Sequence, residues 1–309
     1  MMTIELPQGI HTGDSRHMDD VETGSVTLII TSPPYCVEKE YERGMTFDTW
    51  IELMRDVIKE CDRVLKDGGR ACINVASTGR NPYIPLFNHV INLATDVKWW
   101  MRGVVLWIKR VAKESTAWGT FKSPKNPILR DSHEFILVFN KGKECIDDGK
   151  SGILREEFLE FTKAEWYFSP ARARAIGHPA PFPDELPRRC MLLWSNIGDV
   201  VLDPFLGSGT TAKVARALER KAIGYELNPE YAPIIKERIN EPVIIQSEAW
   251  EREMAELHDH PELCDKSTRE LKKIAMKSGI SLSNGANRSE IVRSIISGKK
   301  NKQLDDFTR

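Results

Sequence analysis

The chain is short of the features that most often decide a function early. None of its six cysteines forms a C-x-x-C pair, so neither a zinc ribbon nor a redox dithiol has its ligands in place. Cys36, Cys61, Cys72, Cys145, Cys190 and Cys264 are scattered through 309 residues, a length that builds a core without cross-links and suits free thiols in a reducing compartment. No sign of charge is in surplus: 44 Lys and Arg face 45 Asp and Glu, so bulk electrostatics neither demands nor excludes a polyanionic partner. The opening residues, MMTIELPQGIHTGDS, lack the basic-then-apolar pattern of a secretory leader. No apolar run approaches the ~20 residues of a membrane span. The expectation is a cytoplasmic protein with no membrane contact. Internal repeats and low-complexity tracts are absent as well.

What is present is an alternation of strand-like and helix-like segments. Val26–Thr31 is a nearly continuous apolar run, as a strand buried on both faces requires. Phe47, Trp50, Ile51, Met54, Val57, Ile58, Cys61, Val64 and Leu65 recur at helical spacing, and Gly68–Gly69 is read as the left-handed cap that ends that helix. Further strands are predicted at 71–76, 104–108, 134–139, 199–203 and 222–226. Helices are predicted within 82–96, near 184–195, from about 210 to 219 and from near 229. This rhythm argues for an α/β fold with a doubly wound, mostly parallel sheet. Residues 109–132 read as a long loop rich in breakers and basic groups, and 141–176 as a polar insertion with one short helix near 155–163. The main domain is expected to span 1–245, followed by a helical extension over 246–309.

Two corners carry chemistry. The first, TSPPY at 31–35, leaves the Val26–Thr31 strand through two prolines. Each proline restricts its own φ, disfavours helix before it and has no N–H, so the corner is stiff and presents acceptors only. The second, DPFLGSGTT at 203–211, is a strand end, a glycine-rich turn and a helix start, where free N–H groups meet a closely approaching ligand. It is not a P-loop, because no Gly-Lys-Ser/Thr follows, and it lacks the full G-x-G-x-x-G spacing. Glu226 ends the next strand, where an acidic side chain can accept from ribose hydroxyls. Ligands of open parallel sheets bind beyond the carboxyl ends of the strands, so both corners are expected to face one crevice.

TSPPY followed by DPFLGSGTT, with GDS at 13–15, RVLKDGG at 63–69, HEFILVF at 133–139, HPAPFPDELPRR at 178–189 and IGYELNPEY at 223–231, resembles the β class of DNA amino-methyltransferases. Those enzymes use S-adenosylmethionine to methylate N4 of cytosine or N6 of adenine. The resemblance implies a permuted methyltransferase fold over about residues 10–245. It assigns the target amine to the Ser32 hydroxyl and the Pro33 carbonyl, with Pro34 stiffening the corner and Tyr35 stacking on an extruded base. It gives the methionine end of the donor to Asp203, Pro204, Phe205, Gly207, Ser208, Gly209, Thr210 and Thr211, and its ribose to Glu226. Asp14 would lie near the adenine, and His178, Pro179 and Pro181 would flank the pocket. Within the family, serine at position 32 points to cytosine N4, with adenine N6 the alternative. Tyr35 separates Cys36 from the prolines, so that thiol is read as inert and not as the nucleophile of C5 methylation.

The partner implied is duplex DNA, with a separately acting restriction endonuclease, and the chain is expected to be a monomer or homodimer. Phosphate contacts are expected from Lys109, Arg110, Lys113, Lys122, Lys125, Arg130, Arg172 and Arg174, and target recognition from 141–176. The stretch 267–302 is locally basic and resembles small helix–extended–helix nucleic-acid-binding modules of the SAP type; a solvated amphipathic appendage is the alternative. His258, Asp259 and His260 with Cys264 lack a complete metal-ligand set, and no metal is expected. Two rivals of other classes are a non-catalytic nucleic-acid-binding protein of the same fold and a nucleotide-dependent oxidoreductase. The intact 32–35 and 207–211 sets count against the first, and the missing G-x-G-x-x-G against the second.

Overall fold

A computed structural model of the chain describes residues 6–35, 44–78, 82–109, 119–120, 122–129, 131–171, 181–247, 263, 268–282, 291–292, 294–296 and 298. The chain divides into two units, 1–246 and 247–309. Among the described residues no helix is long and apolar enough to cross a membrane.

The larger unit is built on one eight-stranded sheet. Its strands are β1 (Ile10–Thr12), β2 (Val26–Thr31), β3 (Leu65–Val75), β4 (Trp100–Lys109), β5 (His133–Asn140), β6 (Glu165–Phe168), β7 (Val200–Asp203) and β8 (Lys221–Glu226). Their spatial order is β1-β8-β7-β2-β3-β5-β4-β6. The run from β1 to β3 is parallel, β5 is antiparallel to both β3 and β4, and β6 is parallel to β4. The sheet is thus mostly parallel, as the alternation of elements predicts.

The helices are α1 (Phe47–Val64), α2 (Leu86–Asp96), α3 (Arg155–Phe161), α4 (Glu185–Trp194), α5 (Thr210–Ala217) and α6 (Ala232–Arg238). α1 starts at a reciprocal cap, in which the Thr49 backbone N–H donates to Thr46 Oγ1 and the Thr46 N–H donates to Thr49 Oγ1. The periodic side chains Trp50, Met54, Val57, Ile58, Cys61 and Val64 pack with α2 against Ile29, Ala71, Ile73 and Val75 on one face of the sheet. Leu28, Ile30, Cys72, Ile136 and Val138 point the other way, against Leu186, Cys190 and Met191 of α4 and Val214 and Ala215 of α5. This two-sided burial is why Val26–Thr31 lacks polar alternation; each such aliphatic side chain contributes roughly 1.5–3 kcal/mol.

Two local readings change. Gly68 and Gly69 do not cap α1, which ends at Val64; both lie inside β3, where the register between β2 and β3 shifts. Gly68 has φ +82°, and a Cβ there would stand 2.3 Å from the Cys145 carbonyl oxygen, so the glycine serves a close backbone approach. Residues 141–176 are not wholly insertion, because β6 joins the sheet edge and Phe161, Trp166 and Phe168 are buried. The Arg189 guanidinium lies 4.4 Å from the Phe161 ring centroid and 5.5 Å from that of Trp166, while its Nε donates to Glu185.

The smaller unit contains α7 (Thr268–Lys277). Leu271 and Ala275 of that helix pack with Leu263, Ile291, Val292, Ile295 and Ile296 in a core of their own. Arg269, Lys272, Lys273 and Lys277 are exposed on α7.

Candidate active site

β2 and β7 are parallel neighbours, with Leu28 opposite Val201 and Ile29 opposite Leu202. Both therefore release their chains at the same edge of the sheet, and the two corners meet there although they are far apart in sequence. They line one cavity of about 740 Å3. Ser32, Pro33, Pro34 and Tyr35 form part of its wall; Pro204, Phe205, Gly207, Ser208, Thr210 and Glu226 form another part, and Asp14 and Pro181 line it as well.

A buried carboxylate joins the two corners from below. Thr31 Oγ1 donates to Asp203 Oδ1 at 2.7 Å, Thr211 Oγ1 donates to Oδ2 at 2.6 Å, and the Phe205 N–H donates to Oδ1 at 3.1 Å. Complete burial pushes the Asp203 carboxyl up to about 6, against the opposing pull of these three hydrogen bonds. Asp203, Gly209 and Thr211 are thus supports of the turn and do not line the cavity. Gly209 has φ +86°, the left-handed conformation from which α5 starts. Arg238 of α6 donates to Ser208 Oγ and, at 3.1 Å, to Thr210 Oγ1, fixing the turn from behind.

Glu226 faces the cavity with its carboxylate already engaged. Oε2 accepts from the Gly207 N–H at 2.9 Å and Oε1 from the Asn228 N–H at 2.8 Å. Burial raises its pKa, and the backbone donors partly offset that. Asp14 accepts from Arg16, whose Nη2 lies 2.5 Å from Oδ2, and this guanidinium holds the Asp14 carboxyl below its usual range.

The TSPPY side is tied together by contacts that motif reading does not supply. Ser32 Oγ and Tyr35 Oη are 2.8 Å apart. Asn74, at the end of β3, donates its amide to Tyr35 Oη at 2.9 Å and to Glu134 Oε2 at 2.6 Å. Tyr35 Oη lies 3.2 Å from the same carboxylate oxygen, and the Trp50 indole N–H donates to the Pro34 carbonyl at 2.6 Å. Lys109 Nζ closes the set, 2.5 Å from Glu134 Oε1. Lys109 is therefore not a loop cation facing outward, as the sequence suggests, but the last residue of β4 and part of the cavity wall. Asn74 Oδ1, Ser77 Oγ, Thr78 Oγ1 and Tyr225 Oη are buried in residues lining the cavity and have no hydrogen-bond partner among the described residues. Each needs a partner that a polar ligand or ordered water supplies.

Asn74, Glu134, Tyr225 and Trp107 line the cavity without having been singled out from the sequence. The one available signal was His133–Glu134, a charged pair opening the otherwise apolar FILVF strand. Lys122 and Lys125 are exposed on the connection before β5. Cys36, Arg110, Lys113, Arg130, Arg172, Arg174, His178, Pro179, the 258–260 triplet and Cys264 lie outside the described residues.

The chain is similar to known proteins over most of its length. A family model described as DNA methylase (N6_N4_Mtase) matches residues 26–237. Type II methyltransferase M.MjaI of Methanocaldococcus jannaschii is 32% identical over 284 residues, covering 77% of this chain and 94% of that protein. The DNA adenine methyltransferase YhdJ of Escherichia coli is 30% identical over 72% of this chain and 79% of its own length. A Thermus thermophilus protein described as a DNA modification methylase, solved in complex with S-adenosyl-L-methionine, superposes with a TM-score of 0.62 at 29% identity, covering 74% of this chain and 92% of that one.

Proposed function

The chain belongs to the DNA methylase family, and from that premise we propose that it transfers a methyl group from S-adenosylmethionine to the exocyclic N4 amine of cytosine in duplex DNA. The observation that carries this reading is the shared cavity: Ser32 and the glycine-rich turn line the same space, and Asp203 ties the neighbouring Thr31 to Thr211 of the turn.

The residues present fit the donor. Glu226 offers a carboxylate to ribose hydroxyls, the 204–208 turn offers backbone to the methionine end, and Tyr225 offers an aromatic wall with a hydroxyl that has no partner among the described residues. Bound there, S-adenosylmethionine supplies an electrophilic methyl group.

The chain's own task is to make a poor nucleophile attack. An aromatic amine delocalises its lone pair into the ring and must turn toward tetrahedral geometry before it can accept a methyl group. Ser32 Oγ and the Pro33 carbonyl are assigned the two N–H groups, which favours that change and aims the lone pair; this is orientation and electrostatics without a strong base. Asp203 is too enclosed to serve as one. Tyr35 presents its ring to the base while its hydroxyl is anchored. Because the target amine is enclosed in the duplex, the base must leave the stack to reach the cavity. Residues 141–176 are assigned target recognition, and Lys122 and Lys125 phosphate contact.

Similarity to the adenine methyltransferase of Escherichia coli favours a second reading, N6 of adenine by the same chemistry. The Type II names of other relatives support a place in a restriction–modification system. DNA from cells expressing the chain, digested to nucleosides and resolved by mass spectrometry, tests all of this. N4-methylcytosine is expected; N6-methyladenine replaces the base assignment, and neither product overturns the proposal.

A further inference from the structure

We propose that Glu134 is a positioning residue that sets the direction of the hydroxyl hydrogen bonds in the target pocket, so that Ser32 meets the amine as an acceptor. The inference rests on the amine-methylation reading above.

The hydroxyl protons at this cluster can be arranged in two ways that differ at Ser32. Among the described residues Tyr35 Oη has three acceptors for its one proton: Ser32 Oγ at 2.8 Å, the Asn74 carbonyl at 3.3 Å and Glu134 Oε2 at 3.2 Å. The Asn74 amide already donates to Oη at 2.9 Å and to Oε2 at 2.6 Å. If Tyr35 donates to Glu134, the Ser32 proton is drawn onto Oη and Ser32 keeps a lone pair for the substrate beside the long 3.5 Å contact from the Asn74 amide. If Tyr35 donates to Ser32, the Ser32 proton points into the cavity and competes for the lone pair that must attack.

A carboxylate accepts only, and hydrogen bonds to it are the stronger kind, so Glu134 selects the first arrangement. Lys109 holds Oε1 at 2.5 Å and turns Oε2 toward Tyr35. The side chain is 10% exposed, so water does not readily take over its role. Glu134 touches neither reacting atom in this scheme and acts through Tyr35.

Glu134→Gln conserves shape and reverses the polarity. Lys109 keeps the amide oxygen, the amide N–H donates to Tyr35, and of the two acceptors left to Tyr35 among the described residues Ser32 at 2.8 Å is nearer than the Asn74 carbonyl at 3.3 Å, so donation shifts toward Ser32. In the full-length protein, transfer from tritiated S-adenosylmethionine to duplex DNA is expected to lose up to about 100-fold in kcat, with the KM for DNA and the dissociation constant of the donor unchanged. Glu134→Asp keeps an acceptor and should outperform the better-fitting glutamine. A role in packing alone predicts the opposite order. In a Tyr35→Phe background, Glu134→Gln should add no further loss, because the link is already cut.

Wild-type kcat in Glu134→Gln, or independent multiplication of its effect with that of Tyr35→Phe, overturns the inference and leaves the reaction standing. Absence of methyl transfer by the wild-type protein overturns the reaction and the inference with it. Should Glu134→Gln not fold, Tyr35→Phe decides: it must slow kcat at constant KM, and wild-type turnover refutes the link.

Discussion

The two walls of the cavity are held in different ways. On the side of Glu226, carboxylates receive backbone N–H groups within one turn or the next strand end, and Asp203 and Arg238 brace that turn from below. On the side of Ser32, the ties are side chain to side chain and cross the sheet: Tyr35 to Asn74, Asn74 to Glu134, Glu134 to Lys109. The first wall is built largely on backbone N–H groups of the turn and the next strand end, braced by side chains beneath it. The second exists only after the sheet has assembled. The proposed division of labour follows, a generic donor held by backbone and a particular base met by side chains.

Substitutions should separate the walls. The largest effect is expected from Ser32→Ala, which removes one acceptor at the amine: transfer falls on the order of 10²–10³-fold while calorimetry shows unaltered donor binding. Loss of both together would erase the distinction between the walls. Glu226→Ala strikes the other side and should weaken the donor about 10- to 100-fold, the range of a charge-assisted hydrogen bond, with the rate at saturation largely kept. An unchanged dissociation constant removes the ribose assignment.

Asp203→Asn probes the support beneath both. Because burial raises the folded-state pKa to about 6, the folded chain holds a proton that the unfolded chain has released between about pH 4 and pH 6. That contribution to stability is full below the unfolded value and is lost as pH rises through the folded one. Wild-type stability relative to Asp203→Asn should therefore decline from pH 4 to pH 7, by up to roughly 3 kcal/mol. A difference constant across that range in denaturant titrations removes the perturbed carboxyl.

The smallest effect belongs to neither wall. The stretch 267–302 carries nine Lys and Arg against two Glu in a chain whose net charge is −1, and it lies outside residues 26–237 that match the family. If the stretch grips phosphate, Lys272→Gln with Lys273→Gln in the full chain should weaken DNA binding several-fold and reduce the salt slope by about 2, with kcat unaffected. An unaltered slope makes the stretch an appendage.

The same contrast explains what the sequence makes legible. The turn at 203–211, the prolines at 33 and 34 and the period of α1 are local and readable, because backbone conformation and helical spacing are written in adjacent residues. The Asn74–Glu134–Lys109 set is not. It depends on β5 running antiparallel between β3 and β4, which sets Val75 opposite Phe135 and Glu134 opposite Trp107. Strand direction leaves no mark in composition, so Lys109 reads as a loop cation and Glu134 as an ordinary strand residue. β1 and β6, three and four residues long, are too short for any period to register.

The Thr31–Asp203–Thr211 tie has a consequence for anyone recombining such proteins. A TSPPY half transplanted from a relative brings its own version of position 31, and a mismatched partner leaves a carboxylate stranded beneath the 203–211 turn. Chimaeras that exchange both strand ends as one cassette should remain functional, whereas those that cut between them inherit a fault at the seam.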